Sequence, residues 1–144
     1  MADWPVDAFE FAEQSRVARL ATSGADGAPH AVPICYVLDR ACLHMVVDAK
    51  PKNAPTRMRR LRNIAENPRA AVIIDRYDDD WSRLEYVLLR GAAGIVTHAG
   101  DYEQAVDRLR AKYGQYREMP FSVEANPLVR VEIASVHHWR YRAG

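Results

Sequence analysis

The stretch CLHMVVDAKPKNAPTRMRRLRNIAENPR, residues 42–69, decides the fold. An apolar strand is followed by a Lys-Pro-Lys turn and then by an arginine-rich helix. Asn67-Pro68 ends this helix, because a residue before proline is pushed out of the α region. A strand that delivers cations to the start of a helix can hold a phosphate, since free backbone N–H groups and the helix dipole add to the side-chain charge. We therefore expect an anion-binding corner here.

The bulk composition indicates one ordinary globular domain, residues 1–144. Of its residues 49% are hydrophobic and 27% charged, and 20 basic residues balance 19 acidic ones. A net charge of +1 argues against a general nucleic-acid binder. No apolar run approaches the roughly 20 residues that span a bilayer, and the acidic N-terminus does not resemble a signal peptide. We expect a cytoplasmic protein with reduced cysteines and no membrane segment.

Before this stretch, the pattern predicts one helix and three strands. Trp4-Pro5 opens the helix, with Val6 and Phe9 marking one side. A strand over 16–22 leads to Asp26-Gly27, a strong hairpin signal. A second strand over 31–38 contains Pro33, which indicates a sheet edge or a bulge. The tight turns predict a meander of three strands, the third being 42–48.

The arginine-rich helix and the later segments complete the prediction. Met58, Leu61, Ile64 and Ala65 should face the core. The apolar strand 70–75 should be covered on both sides. Residues 84–98 should form one long strand, or two, with bends or bulges at Gly91 and Gly94. A helix with an apolar face from Tyr102 to Tyr113 should begin at Asp101 and stop at Gly114. With a last strand over 128–141, the pattern predicts a mainly β protein: a closed or partly split barrel of six to seven mostly antiparallel strands with three peripheral helices.

Several of these segments resemble one known family. RVARLAT, DG-x-PH-x-VP, D-x-KPK, the Asn-Pro-Arg turn before an apolar strand, and YDDDW are similar to the pyridoxamine 5'-phosphate oxidase-like split barrels. More narrowly, they resemble the branch that depends on the deazaflavin coenzyme F420. The resemblance implies an FMN-binding split barrel that forms a homodimer, with a cofactor site at each end of the subunit interface.

The resemblance also implies residue roles. Val47 and Asp48 would flank the ring or ribityl chain, and Pro33 and Ile34 would line the ring pocket. The cofactor phosphate would be bound by Lys50 and Lys52, with help from Arg57 or Arg60. The second subunit would contribute from near Glu85 and Trp139. The second strand is apolar here, whereas the vitamin B6 oxidases carry phosphate-binding arginines on it, and Arg140 and Arg142 are only candidates for their C-terminal arginine pair. Pyridoxamine phosphate is therefore a poor substrate prediction.

The function that this predicts is hydride transfer between coenzyme F420 and an unsaturated small-molecule substrate. Such chemistry needs no nucleophile motif, because the cofactor carries the reactive carbon. Tyr36 and Tyr86 are candidate proton donors, and the surplus arginines would suit the oligoglutamate tail of coenzyme F420. Two alternatives stay open: an FMN-dependent oxidase or flavin reductase, and a non-catalytic flavin, deazaflavin or haem-binding protein. No metal is expected, since adjacent His137 and His138 point to opposite faces of a strand.

Overall fold

The computed structural model describes residues 2–48 and 54–142, and the side chains of 54–58 lie outside its description. The elements, in chain order, are α1 Ala8–Gln14, β1 Ala18–Ser23, β2 Pro29–Ile34, β3 Val37–Leu38, β4 Cys42–Val46, α2 Ala54–Glu66, β5 Arg69–Arg76, β6 Glu85–Val96, α3 Ala99–Lys112 and β7 Leu128–Arg140. No helix in these ranges has both the length and the apolar character needed to cross a bilayer.

The seven strands of the described chain form one antiparallel sheet that curls on itself. Their order is β2-β1-β5-β6-β7-β4-β3, so β2 and β3 occupy opposite edges. Only Cys35 and Tyr36 separate these two strands along the chain, and three Cα steps span at most about 11 Å. The two edges must therefore approach each other, which bends the sheet into a split half-barrel. The predicted fold class is confirmed.

The prediction of a single strand over 31–38 is wrong. β2 ends at Ile34 and pairs with β1, whereas β3 starts at Val37 and pairs with β4. At the break, the backbone N–H of Tyr36 donates to the Tyr113 hydroxyl at 3.0 Å and not to a neighbouring strand. The predicted three-strand meander is interrupted at this point. Pro33 does lie on an edge strand, as predicted.

Two apolar clusters hold the barrel together. One fills the barrel interior and includes Leu20, Val72 and Leu89. The other lies between the sheet and α3, whose residues Tyr102, Ala105, Val106 and Leu109 are buried as their spacing predicted. The final strand also alternates as predicted, since Val129, Val131 and Ile133 are buried.

Two of the three described helices, α1 and α3, begin at residues other than those predicted. α1 begins at Ala8 and buries Ala8 and Ala12, whereas Val6 is 84% exposed. The cause is Asp7, which adopts a left-handed φ of 70° and prevents an earlier helical turn. α3 begins at Ala99, because His98 Nδ1 accepts a hydrogen bond from the Asp101 N–H at 3.2 Å. It ends at Lys112, just before Gly114.

In α2 the apolar face is only partly as predicted. Ile64 is buried and Leu61 partly buried, but Ala65 is exposed. The neighbouring buried position is occupied by Asn63, which is 3% exposed. Its buried amide has a hydrogen-bond partner on β1, which is why a polar residue is tolerated there. The helix ends at Glu66, before Asn67-Pro68, as predicted.

The prediction that β5 is covered on both sides is wrong for the single chain. Ala70, Val72 and Ile74 are buried, but Ile73 between them is 37% exposed. The register between β6 and β7 shifts between Arg90 and Gly91, where Ala134 of β7 has no partner, so the irregularity lies opposite the first of the two predicted glycines. A Cβ at Gly91 would lie 2.0 Å from the backbone oxygen of Glu132, so the two strands approach too closely for any side chain there.

Candidate functional site

A small crevice of about 190 Å³ opens beside the break between β2 and β3. Four of the predicted positions meet there: Pro33 and Ile34 from β2, Asp48 after β4, and Arg60 from α2. The full lining is Val17, Pro33, Ile34, Cys35, Met45, Val46, Asp48, Arg60 and Tyr116. The crevice therefore combines an apolar wall with one cation and one carboxylate.

Arg60 is the charged group that defines this crevice. Burial lowers the pKa of its guanidinium, and Asp48 acts in the opposite direction. Its Nε is buried and has no hydrogen-bond partner among the residues that the structure describes. A buried donor left unpaired costs about 1–3 kcal/mol, more when it is charged. An acceptor that reached this N–H would remove that cost.

The second half of α2 is anchored to the β1–β2 hairpin. Asn63 Nδ2 donates to Thr22 Oγ1 at 3.1 Å, and Glu66 Oε1 accepts from the Ala25 N–H at 2.8 Å. Beneath the helix, the pKa of His30 is lowered by burial and then by Arg60 and Arg59. These contacts fix the position of the guanidinium relative to β2.

The other cations predicted for this corner cannot be placed. Lys50 and Lys52 lie outside the described residues, and Arg57 lies in α2 with its side chain outside the description. Val47 is 2% exposed, and its side chain does not line the crevice. Its backbone N–H donates to Pro127 O at 2.8 Å and its carbonyl accepts from Asn126 Nδ2 at 3.3 Å, which fixes the strand end next to Asp48.

Sequence reasoning missed Tyr116 and Cys35 as crevice residues. Tyr116 is 7% exposed, and its ring packs against Tyr113 and Phe121 at centroid distances of 5.7 and 5.2 Å. Burial raises the pKa of its hydroxyl, and the neighbouring Cys35 and Asp48 raise it further. The hydroxyl therefore stays protonated. No local signal marks Tyr116, because it follows α3 and reaches the crevice only through tertiary packing.

Glu85 is the first residue of β6 and lies outside the crevice. It is 7% exposed, and its carboxylate accepts from Arg76 at 3.2 Å and contacts His138 Nε2 at 2.7 Å. Glu85 does not line the crevice of its own chain. Its predicted role across a subunit interface stays a prediction.

The aromatic candidates also lie away from the crevice of their own chain. Trp139 is 40% exposed and stacks on Tyr86, with ring centroids 5.8 Å apart. Tyr36 is fully buried, and its hydroxyl donates to the Ala12 carbonyl. In that position Tyr36 faces the core, whereas Tyr86 lies on the outer face of the sheet. Over the described ranges, no group of three His, Cys, Asp or Glu side chains is arranged to hold a metal ion.

Comparison with known families agrees with this architecture. The family model described as pyridoxamine 5'-phosphate oxidase matches residues 7–142. The chain belongs to the pyridoxamine 5'-phosphate oxidase family. No curated protein matches the sequence. Within this family the fold is a flavin-binding split barrel, so the crevice lies in a scaffold suited to a flavin-type cofactor.

Several solved structures share the fold. A FAD-binding protein from Mesorhizobium loti is 21% identical, with 94% of each chain covered and a TM-score of 0.67. A protein described as an F420 reductase is 20% identical, with 93% of this chain and 98% of that one covered and a TM-score of 0.66. The haem storage protein of Vibrio cholerae is 14% identical, with 92% and 90% covered and a TM-score of 0.67. At these identities the likeness shows the fold alone.

Proposed function

We propose that this family member is a coenzyme F420-dependent oxidoreductase that transfers a hydride between the deazaflavin and an unsaturated small molecule. The observation that carries the proposal is Arg60, whose Nε is buried without a hydrogen-bond partner in the described part of the chain and which lines a crevice with an apolar wall formed by Pro33 and Ile34. An anion joined to a flat apolar ring has the chemistry that such a crevice would bind. At about 190 Å³ the crevice of one chain would hold only part of this cofactor, and the rest would lie at the subunit interface proposed below. A protein described as an F420 reductase has the same fold, as does a FAD-binding protein, so the choice of the deazaflavin depends on the charges described below.

In this proposal the cofactor supplies the hydride, and the chain binds and orients it. The Arg60 guanidinium offers paired N–H donors to a phosphate. Lys50, Lys52 and Arg57 would add charge at the same corner. The apolar wall would exclude water from the ring, and the protonated hydroxyl of Tyr116 could donate a hydrogen bond within the crevice.

Coenzyme F420 is preferred to FMN because of the charge on α2. Arg59 and Arg62 are exposed on this helix. In the described part of the chain, neither forms an ion pair with a carboxylate. Spare cations beyond the phosphate site suit a long acidic tail, which coenzyme F420 carries and FMN lacks.

We also propose a homodimer. The outer face of β1, β5 and β6 is apolar and uncovered around Ala21, Ala71, Ile73 and Leu88. A second copy would bury this face. It would also explain why β5 carries apolar residues on both faces of the sheet. The same dimer would bring Glu85 and Trp139 of one subunit towards the crevice of the other.

The proposal is tested by titrating the purified protein with coenzyme F420 and, separately, with FMN, following fluorescence. We expect coenzyme F420 to bind more tightly. Arg60→Ala should weaken its binding by about 1.5–3 kcal/mol, the range for a charge-assisted hydrogen bond. Arg40→Ala is the control, because Arg40 is exposed, precedes β4 at the end opposite to Asp48, and does not line the crevice.

Each contrary result would point to a different conclusion. Tighter binding of FMN would overturn the choice of cofactor, and equal losses for Arg60→Ala and Arg40→Ala would overturn the site. Catalysis is tested by adding enones, imines and quinones to the protein loaded with reduced coenzyme F420. A bound cofactor that none of these compounds oxidises would favour a storage function, and storage is the function named for the Vibrio cholerae relative.

A further inference from the structure

A second concave site lies between the end of α1, β3 and the second half of α3. It is a cavity of about 520 Å³ lined by Glu13, Gln14, Arg16, Val37, Leu38, Arg108, Ala111 and Lys112. None of these residues lines the cofactor crevice. Three cations and one carboxylate face the cavity, and its volume lies in the range of small-molecule sites.

Backbone carbonyls hold the three cations in place. Arg16 donates to the carbonyl of Lys112 at 2.7 Å, Lys112 Nζ to that of Glu13 at 2.9 Å, and Arg108 to that of Leu38 at 3.0 Å. Hydrogen bonds to uncharged carbonyls fix these side chains but do not cancel their positive charge. Within the ranges that the structure describes, Arg16 and Lys112 form no ion pair with a carboxylate, and Arg108 approaches Asp39 only to 3.8 Å.

The positive charges are close enough to affect one another. Burial lowers the pKa of Lys112 to about 8, with a further contribution from Arg16, whereas Glu13 and Cys35 act in the opposite direction. The ammonium also lies 4.0 Å from the centre of the Tyr36 ring. Gathering like charges in a half-buried place costs free energy unless an anion compensates it.

A structural role explains only part of this arrangement. Arg16 contacts the last carbonyl of α3, where the helix dipole favours a cation. Arg108 lies one turn before the end of α3, and its guanidinium donates to the Leu38 carbonyl on β3. The helix end therefore does not account for its position at the rim of the same cavity.

We propose that this basic cavity binds a small phosphate-bearing metabolite, at a site separate from the cofactor crevice. Two guanidiniums can contact phosphate oxygens in bidentate fashion, and the ammonium adds a point charge. Val37 and Leu38 provide an apolar wall for the organic part of the ligand.

The test uses the three lysines of the chain, Lys50, Lys52 and Lys112. The whole protein is labelled with acetic anhydride at pH 7, and the rate at each lysine is read by peptide mass spectrometry. Inorganic phosphate is the probe, with potassium chloride at equal ionic strength as reference. Bound phosphate should raise the pKa of Lys112 by about one unit and so slow its labelling about tenfold, because only the neutral amine reacts. Lys50 and Lys52 report separately on the proposed cofactor corner.

Variants decide whether the protection comes from this cavity. Arg108→Gln should raise the half-protecting phosphate concentration about tenfold. Arg117→Gln, an exposed arginine outside the cavity, should leave it unchanged. Arg16→Gln provides a second test should Arg108→Gln fail to fold, as judged by circular dichroism. Equal labelling of Lys112 in phosphate and chloride, or equal protection in Arg108→Gln and the parent protein, would refute the site even if Lys50 and Lys52 are protected.

Discussion

At the scale of single residues, His44 combines burial with an incomplete set of hydrogen bonds. It is 8% exposed on β4, and its Nε2 accepts from Arg130 Nε at 3.1 Å. This bond requires the proton to be on Nδ1, which is buried and has no partner in the described part of the chain. Burial, followed by the charge of Arg130, lowers the pKa from 6.5 to about 4. His44 is therefore neutral at physiological pH.

This shift predicts a pH dependence of stability. The folded pKa of His44 lies below the unfolded value, so its contribution is fully present above pH 6.5 and is lost as the pH falls towards 4. We expect about 1–3 kcal/mol of the acid destabilisation in that window to come from His44. Urea unfolding at pH 7, 6, 5 and 4.5 should show a shallower pH dependence for His44→Gln.

The exposed His137 provides the control for that measurement. His137→Gln should retain the pH dependence of the parent protein, because this variant leaves His44 and every carboxylate of the chain in place. Identical slopes for His44→Gln and the parent between pH 6.5 and 4 would show that His44 is not held neutral by the fold.

At the scale of elements, the register shift at Gly91 determines how β6 and β7 fit together. A Cβ at Gly91 would meet the Glu132 backbone oxygen at 2.0 Å, whereas a Cβ at Gly94 would have nothing within 4 Å. Gly91→Ala must therefore displace one strand, at a cost of about 1–3 kcal/mol. Gly94→Ala should change stability by no more than about 0.5 kcal/mol. Urea unfolding of both variants at pH 7 checks the difference, and similar costs would contradict a close approach limited to Gly91.

Elements were predictable where a local pattern determines them. The buried face of α3 follows from helical spacing, and Asn67-Pro68 ends α2 because of its own backbone restrictions. The break between β2 and β3 was not predictable, since the Tyr36 N–H that causes it donates to Tyr113, 77 residues later. The first turn of α1 was also unpredictable, because Asp7 adopts a conformation unusual for a non-glycine residue.

At the scale of the whole molecule, the candidate site also contains residues that a local pattern predicts and residues that only tertiary packing brings together. The strand-to-helix corner could be read locally, and the structure brings Asp48 and Arg60 to one crevice with Pro33 and Ile34. Tyr116 comes from a segment after α3, and nothing in its own neighbourhood indicates that it lines the crevice. The proposed contribution of Glu85 and Trp139 depends on a second subunit, which a single sequence does not position.

The proposed dimer predicts a specific effect of charge on the outer face. Ile73 is 37% exposed, and its cross-strand partners are Leu88 on β6 and Arg19 on β1. A lysine at this position would place an unpaired charge in the interface, where removing it from water is costly. We expect Ile73→Lys to be monomeric at micromolar concentrations, as measured by size-exclusion chromatography with light scattering. It should also lose cofactor affinity, since a site shared by two subunits would be incomplete in the monomer.

Ile95→Lys is the matched control for this prediction. Ile95 is 44% exposed, similar to Ile73, but its cross-strand partner Val129 is fully buried in the barrel core. Directly paired residues point to the same face of a sheet, so Ile95 points away from the outer face. Ile95→Lys should therefore remain dimeric. A dimeric Ile73→Lys with normal cofactor binding would show that this face is not the interface, and the uncovered apolar side of β5 would then need another partner.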